Sequence, residues 1–280
     1  MSDTKKKLGL ALGGGAGLGW AHIGVIQRLQ DAGIHADVVS GCSIGSIVGA
    51  CLAAQKMGDL EDLARSIRLK DMLSMAEFGW GKGAVLGGSK IEKTLRDHFH
   101  HDLIEDLIIP FGAVAADIYS GTARNFTSGE VVRALRASCA VPGLLEPVVD
   151  DASGHLLVDG GTVEPVPVRL CRDLGADVVI AVNLQGDYTS RVEGLGIGPE
   201  KTKYLAKTVR IARASLSLTL YALGQAKMQQ DGANIIIAPN LGHVDAADFT
   251  RADELIDIGW QAADESMETI LAQLEAEMAA

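Results

Sequence analysis

The sequence predicts an α/β fold with a mostly parallel central sheet covered by helices on both faces. Short, almost wholly apolar runs alternate along the chain with segments of helical periodicity, and such runs are strands buried on both sides. Composition agrees. The 280 residues are 48% hydrophobic and 4% aromatic with 33 glycines, which marks a globular chain with many tight turns and not a disordered one. One domain over 1–280 is the simpler organisation at this length, since no repeat or low-complexity linker divides it.

Leu8–Leu12 is the first strand, and a glycine run over 13–19 follows it. A helix from about Ala21 to Asp31 places Ala21, Val25 and Leu29 on one face and ends at Gly33. Residues 37–40 form a short buried strand and 46–54 a helix of small and apolar residues. From 56 to 101 the pattern is helical throughout, a cap-like insertion. Within it, 59–70 carries Leu60, Leu63, Ala64 and Ile67 at helical spacing. Ser89-Lys90-Ile91-Glu92 reads as a capping box that opens a helix with Ile91, Leu95 and Phe99 inward. Strands return at 111–116 and 123–127, and a short helix follows near 130–137. A hairpin pairs 145–149 with 156–158 around Asp150-Asp151-Ala152-Ser153-Gly154. The chain closes with a buried strand at 177–184, a long helix over 203–230, a last strand at 234–238 and a C-terminal helix over 250–280.

A formal net charge of −11 argues against a general nucleic-acid binder. Cys42, Cys51, Cys139 and Cys171 form no C-x-x-C pair and no zinc-ligand spacing, so they read as free buried thiols of a reducing compartment. The apolar stretch before the glycine run is too short for the core of a signal peptide. No run approaches the roughly 18 apolar residues of a membrane span. The expectation is a cytoplasmic protein, peripheral at most to the inner face of a membrane.

The chemistry concentrates in three motifs. Gly41-Cys42-Ser43-Ile44-Gly45 lies between a strand and a helix, the context of a nucleophile elbow. There the sharp turn lifts the serine hydroxyl clear of the sheet, at a helix N-terminus that favours developing negative charge. Second is the loop Gly13-Gly14-Gly15-Ala16-Gly17-Leu18-Gly19. A dinucleotide fingerprint started at Gly13 or at Gly15 meets Leu18 or Trp20 where its last glycine belongs, and a phosphate-binding loop would need lysine where Trp20 stands. The remaining readings are an oxyanion hole built from the amides of Gly13, Gly14, Gly15 and Ala16, or a tight turn that packs helix on strand. Third is Asp159-Gly160-Gly161 at the end of a strand, either a carboxylate at the sheet's C-terminal edge or a plain Asx-turn.

In this order the three motifs resemble the patatin-like phospholipase family, in its bacterial branch. The similarity extends to 9–26, 41–50, 115–129, Ala137-Ser138-Cys139-Ala140-Val141-Pro142-Gly143, 158–168 and 242–259. It implies a three-layer sandwich, with Ser43 as nucleophile, Asp159 as its partner in a Ser–Asp dyad and the glycine loop as oxyanion hole. Gly41, Gly45, Gly160 and Gly161 would be the motif glycines. It also implies a lipid or ester substrate and no metal or organic cofactor. The family usually carries Arg or Lys just before the last glycine of the loop, where this chain has Leu18.

An aspartate is a poor base in water, but burial disfavours its charged form, raises its pKa and lets it accept the serine proton. The alternative is a Ser–Asp–His triad completed by His243. His22 reads as structural. Two segments bear on access to the site. Residues 71–83, rich in Met and aromatics, would form either a cap over an acyl channel or an ordinary helix pair. Lys201, Lys203, Lys207, Arg210 and Arg213 form a basic face, a contact to anionic lipid headgroups or simply a solvated surface. Three activities compete: a serine acyl hydrolase, a weakly active binding or regulatory module, and an acyltransferase that uses the same acyl-enzyme.

Overall fold

A computed structural model describes residues 6–69, 88–100, 102–195 and 204–279. The segment 71–83, His101, and Lys201 and Lys203 of the basic face lie outside the described residues.

The first strand is where the apolar run places it, β1 at Leu8–Leu12. After a single turn of 3-10 helix at Ala16–Trp20 comes α1 (Ala21–Asp31), closed by Gly33 at φ 74°. The strand β2 (Val38–Cys42) turns at Ser43 into α2 (Ile44–Ala53). Two amphipathic helices follow, α3 (Met57–Ser66) and α4 (Gly88–Phe99). Then come β3 (Phe111–Asp117), β4 (Thr122–Phe126) and α5 (Val131–Ser138). The hairpin of β5 (Val148–Val149) and β6 (Leu156–Asp159) precedes α6 (Val168–Asp173) and β7 (Val178–Val182). Last are α7 (Tyr188–Gly194), α8 (Tyr204–Gln230), β8 (Ile235–Ile237), α9 (Ala252–Glu265) and α10 (Met267–Ala279).

Several boundaries differ from expectation. The helix expected over 59–70 starts at Met57 and stops at Ser66, where Ile67 turns extended. The helix expected to open at Ser89 already includes Gly88, so Ser89 lies inside it. The C-terminal segment is two helices. At Ser266 the hydroxyl bonds back to the Ala262 carbonyl at 2.8 Å, a local bond that competes with the helical ladder. Two short helices, α6 and α7, carry too few turns to show a period in the sequence.

The eight strands form one sheet in the order β5-β6-β3-β2-β1-β7-β8, with β4 also on β3. β1, β2, β3, β7 and β8 are mutually parallel, while β4, β5 and β6 pair antiparallel. Alternate residues of the central strands enter different cores. Leu10, Leu12, Ile180 and Val182 pack into the larger cluster with α1, α2 and α9, whereas Ala11, Val179 and Ala181 face Val168, Cys171 and Met228. A period of two with both faces apolar is what a covered sheet requires, and it gives the three layers.

The feature that positions the site is the edge of β3. Because β4 occupies one edge of that strand, β2 and β6 share the other. Cys42 is in register with Val114 and Asp159 with Ala115. β2 runs parallel to β3 and β6 runs against it, so the two approach end to end and stop at neighbouring residues. The residue after Cys42 is Ser43.

Candidate active site

Ser43 is held in a conformation that L-residues avoid, φ 53° and ψ −127°, at a cost of roughly 1–3 kcal/mol that the surroundings must offset. Three bonds pin it. Its amide donates to Ser138 Oγ at 2.9 Å, and its carbonyl accepts from the Ser46 amide at 2.8 Å and from Ser46 Oγ at 2.6 Å. The turn therefore projects the side chain off the end of β2, at the N-terminus of α2. It remains 8% exposed. The sharpness of the turn depends on Gly45. A Cβ there would stand 2.3 Å from the Leu12 carbonyl oxygen and 2.6 Å from that of Gly13. Gly45→Ala is expected to lower stability by about 2 kcal/mol or more, because rigid main chain and not a side chain would have to move. An unchanged Tm in thermal unfolding would contradict this.

Asp159 ends β6 and is 7% exposed. Its Oδ1 accepts the Gly161 amide at 2.8 Å, while Cys42 Sγ lies 4.0 Å away. Burial pushes its pKa from 3.8 up to about 6, and the Ser43 hydroxyl and Gly161 amide pull it part of the way back. The Ser43 hydroxyl thus acts on this carboxyl at close range, yet Oδ2 has no hydrogen-bond partner. A free lone pair beside a serine hydroxyl is a place for a proton to go, and bonds of this kind often tighten only when substrate is bound.

The glycine loop leaves β1 at the same edge of the sheet, and a Cβ on Gly14 would stand 3.3 Å from Ser43 Cβ. Its four amides are not equivalent. Gly13 donates to the Val182 carbonyl and Gly14 to that of Pro165, both at 3.0 Å, so these two shape the loop and are not free to receive an oxyanion. This narrows the expected set of four. The amides of Gly15 and Ala16 have no partner among the described residues, and Ala16 holds an unusual φ of 49°. His22, wholly buried, bonds through Nε2 to the Gly13 carbonyl at 2.8 Å. Burial lowers its pKa to about 4, so the ring is neutral and Nε2 is the donor. It thereby fixes a loop carbonyl, a positioning role finer than the structural one read from sequence. Leu18 is 0% exposed within the larger core, so a charge at its place would be buried there.

Gly41 is the fourth residue of β2, and Gly160 and Gly161 open the turn after β6. His243 stands apart, exposed and 3.1 Å from Glu254, with no contact to Asp159. Ser138 emerges as a site residue unassigned by sequence reasoning, though it sits in the Ala-Ser-Cys-Ala-Val-Pro stretch that already stood out. All four cysteines are free and buried. Burial, followed by the charge of Asp159, pushes Cys42 well above the ordinary thiol range, so it stays protonated and unreactive. Among the described residues no group of three or more His, Cys, Asp or Glu is placed to hold a metal ion.

A mostly parallel α/β sheet with a strained serine between its second strand and following helix, and a buried carboxylate beside it, defines the class of α/β proteins with an elbow serine. The chain belongs to the patatin-like phospholipase family, whose model matches residues 10–172. It is 36% identical over 184 residues to an uncharacterized NTE family protein of Mycobacterium tuberculosis, covering 66% of this chain and 51% of that one. It is 34% identical over 187 residues to neuropathy target esterase sws of Drosophila melanogaster, covering 65% of this chain and 13% of that one. The chain thus spans about half the length of the first relative and a small part of the second. Among solved structures, VipD from Legionella pneumophila aligns over 94% of this chain and 67% of its own, with a TM-score of 0.49 and 12% identity.

Proposed function

We propose that this protein is a serine acyl hydrolase that cleaves the fatty-acyl ester of a lipid, of lysophospholipase, phospholipase A or carboxylesterase type. The observation that supports it best is the pairing of a strained Ser43 with a buried Asp159 whose Oδ2 is unpartnered and whose pKa is about 6. Ser43 Oγ attacks the ester carbonyl carbon while Asp159 takes its proton. The oxyanion is held by the free amides of Gly15 and Ala16 and by the N-terminus of α2, preorganised donors of a kind worth about 3–4 kcal/mol each in comparable sites. Collapse of the intermediate expels the alcohol, which takes the proton from Asp159 and leaves an acyl ester on Ser43. Water then attacks that ester while Asp159 takes its proton, and collapse of the second intermediate breaks the bond to Ser43 Oγ, which regains the proton from Asp159 as the fatty acid departs.

The lipid character of the substrate is supported by family membership and by the esterase name of the Drosophila relative. On α8, Ile211, Leu216 and Leu218 are exposed beside Arg210, which suits peripheral contact with a lipid surface. Among the described residues no helix is long and apolar enough to cross a membrane. The four free thiols support a reducing, cytoplasmic setting.

An alkyl fluorophosphonate tests the reading directly. The folded protein is expected to take up one adduct, on Ser43, faster as the pH rises through about 6. An unlabelled Ser43 would favour a binding module. Release of a transesterified product when glycerol is supplied would favour acyl transfer.

A further inference from the structure

On α5, two residues before the serine that holds the Ser43 amide, lies a buried cation with no ion-pair partner among the described residues. Arg136 is 8% exposed, and its Nε and Nη1 have no hydrogen-bond partner. Its Nη2 reaches only the Glu146 carbonyl, at 3.5 Å. The neighbouring arginines are all compensated: Arg133 pairs with Asp151, and Arg96 with Glu92 and Glu130. Arg191, the other buried arginine, lies within the field of Asp187 and Asp245. Among the described residues Arg136 forms no such pair. Buried charges are ordinarily paired, because leaving water uncompensated is costly.

Its guanidinium points at the start of α4. A Cβ on Gly88, the first residue of that helix, would stand 3.0 Å from Nη2, so glycine lets the guanidinium lie against the start of the helix. A helix N-terminus and a guanidinium with spare N–H groups together make a site for an anion with several acceptor oxygens. The site shares α5 with a residue that holds the Ser43 turn. Ser138 Oγ accepts the Ser43 amide, and Cys139, next along, feels the charge of Arg136. A phosphate lies only a few bonds from the ester of a glycerolipid, whereas a fatty carboxylate would be released at Ser43 itself.

We infer that Arg136, with the first turn of α4, is a phosphate-binding subsite carried by the helix that also supports the Ser43 turn. Its occupant is the phosphate of a lysophospholipid headgroup or free inorganic phosphate. As a substrate site, this rests on the hydrolase reading above. It would supply, from another element, the cation that the glycine loop lacks at Leu18.

The test compares lysophosphatidic acid with a monoacylglycerol of the same chain, in wild type, Arg136→Gln and Arg136→Lys. It also follows Tm with and without inorganic phosphate. Losing a hydrogen bond to a charged group predicts that Arg136→Gln raises KM for lysophosphatidic acid about 10- to 100-fold more than for the monoacylglycerol. Arg136→Lys should recover part of that difference. Inorganic phosphate that competes only with the phosphorylated substrate identifies the headgroup as occupant. Phosphate that raises the wild-type Tm but not that of Arg136→Gln, and affects both substrates alike, identifies free phosphate. The subsite is overturned if Arg136→Gln alters both substrates by the same factor and phosphate leaves the wild-type Tm unmoved. If wild type hydrolyses neither substrate the hydrolase reading fails, and the Tm comparison still decides the phosphate site.

Discussion

Replacing Ser43 with alanine is expected to lower kcat/KM for a fatty-acyl ester by about 10⁴- to 10⁶-fold, the range seen when a nucleophile is removed from a site whose members act as a unit. The residue sits at the end of β2 with its carbonyl and amide pinned by Ser46 and Ser138. Those bonds involve only its main chain, so the variant should keep the turn and unfold within a few degrees of wild type. Loss of activity with an unchanged Tm would then be a loss of chemistry and not of fold. If the alanine variant kept more than about a hundredth of the wild-type rate, the nucleophile would lie elsewhere.

Removal of the base should cost less and carry a pH signature. Asp159→Asn is expected to reduce kcat/KM by about 10²- to 10⁴-fold. In wild type, the carboxyl works only when ionised, so kcat/KM should fall as the pH drops through about 6, and the residual activity of the variant should lack that limb. A profile flat to pH 4.5 in wild type would remove Asp159 as proton acceptor. Glu164, also buried, is pushed up to about 7 by burial and then by Asp231. It is common to both proteins, so the difference between their profiles isolates Asp159.

The same shift acts on stability, in the opposite sense to that of an ion-paired aspartate. Between pH 3.8 and about 6 the native carboxyl keeps a proton that the unfolded chain releases. Stability therefore declines as the pH rises through that window, and the penalty is full above it. For a group this deeply buried it amounts to roughly 3 kcal/mol. The stability gap between Asp159→Asn and wild type should shift in favour of the variant from pH 4 to pH 7, and denaturant unfolding at several pH values would show it. The absence of any pH trend in that gap would indicate a solvated carboxyl.

Where the sequence read well, the signals were local. The apolar run of β1, the Gly33 stop of α1 and the hairpin of β5 and β6 each depend on residues a few positions apart. So does the elbow, since Gly-x-Ser-x-Gly between strand and helix is one continuous stretch. Where it read poorly, the local signal was faint or distant groups decided. The stop of α3 at Ser66 and the break at Ser266 interrupt helical patterns that composition alone would continue. The loop amides are the clearest instance. All four looked alike as glycine-rich backbone, but Gly13 and Gly14 donate to carbonyls of Val182 and Pro165, more than 140 residues away.

From its order of residues alone, this chain determined which groups could react: a serine at a tight strand-to-helix turn, an aspartate leaving a strand and a run of unobstructed amides. Local sterics and backbone propensity suffice for that. Their meeting was decided only by the tertiary structure. β2 and β6 stop head to head on one edge of β3, opposite Val114 and Ala115. That register comes from pairing Cys42 with Val114 and Ala115 with Asp159, residues far apart along the chain, and no short-range pattern encodes it. Burial between the layers then lifts the pKa of an ordinary carboxyl to about 6, because a pKa responds to the solvent a group has lost and not to its neighbours in sequence.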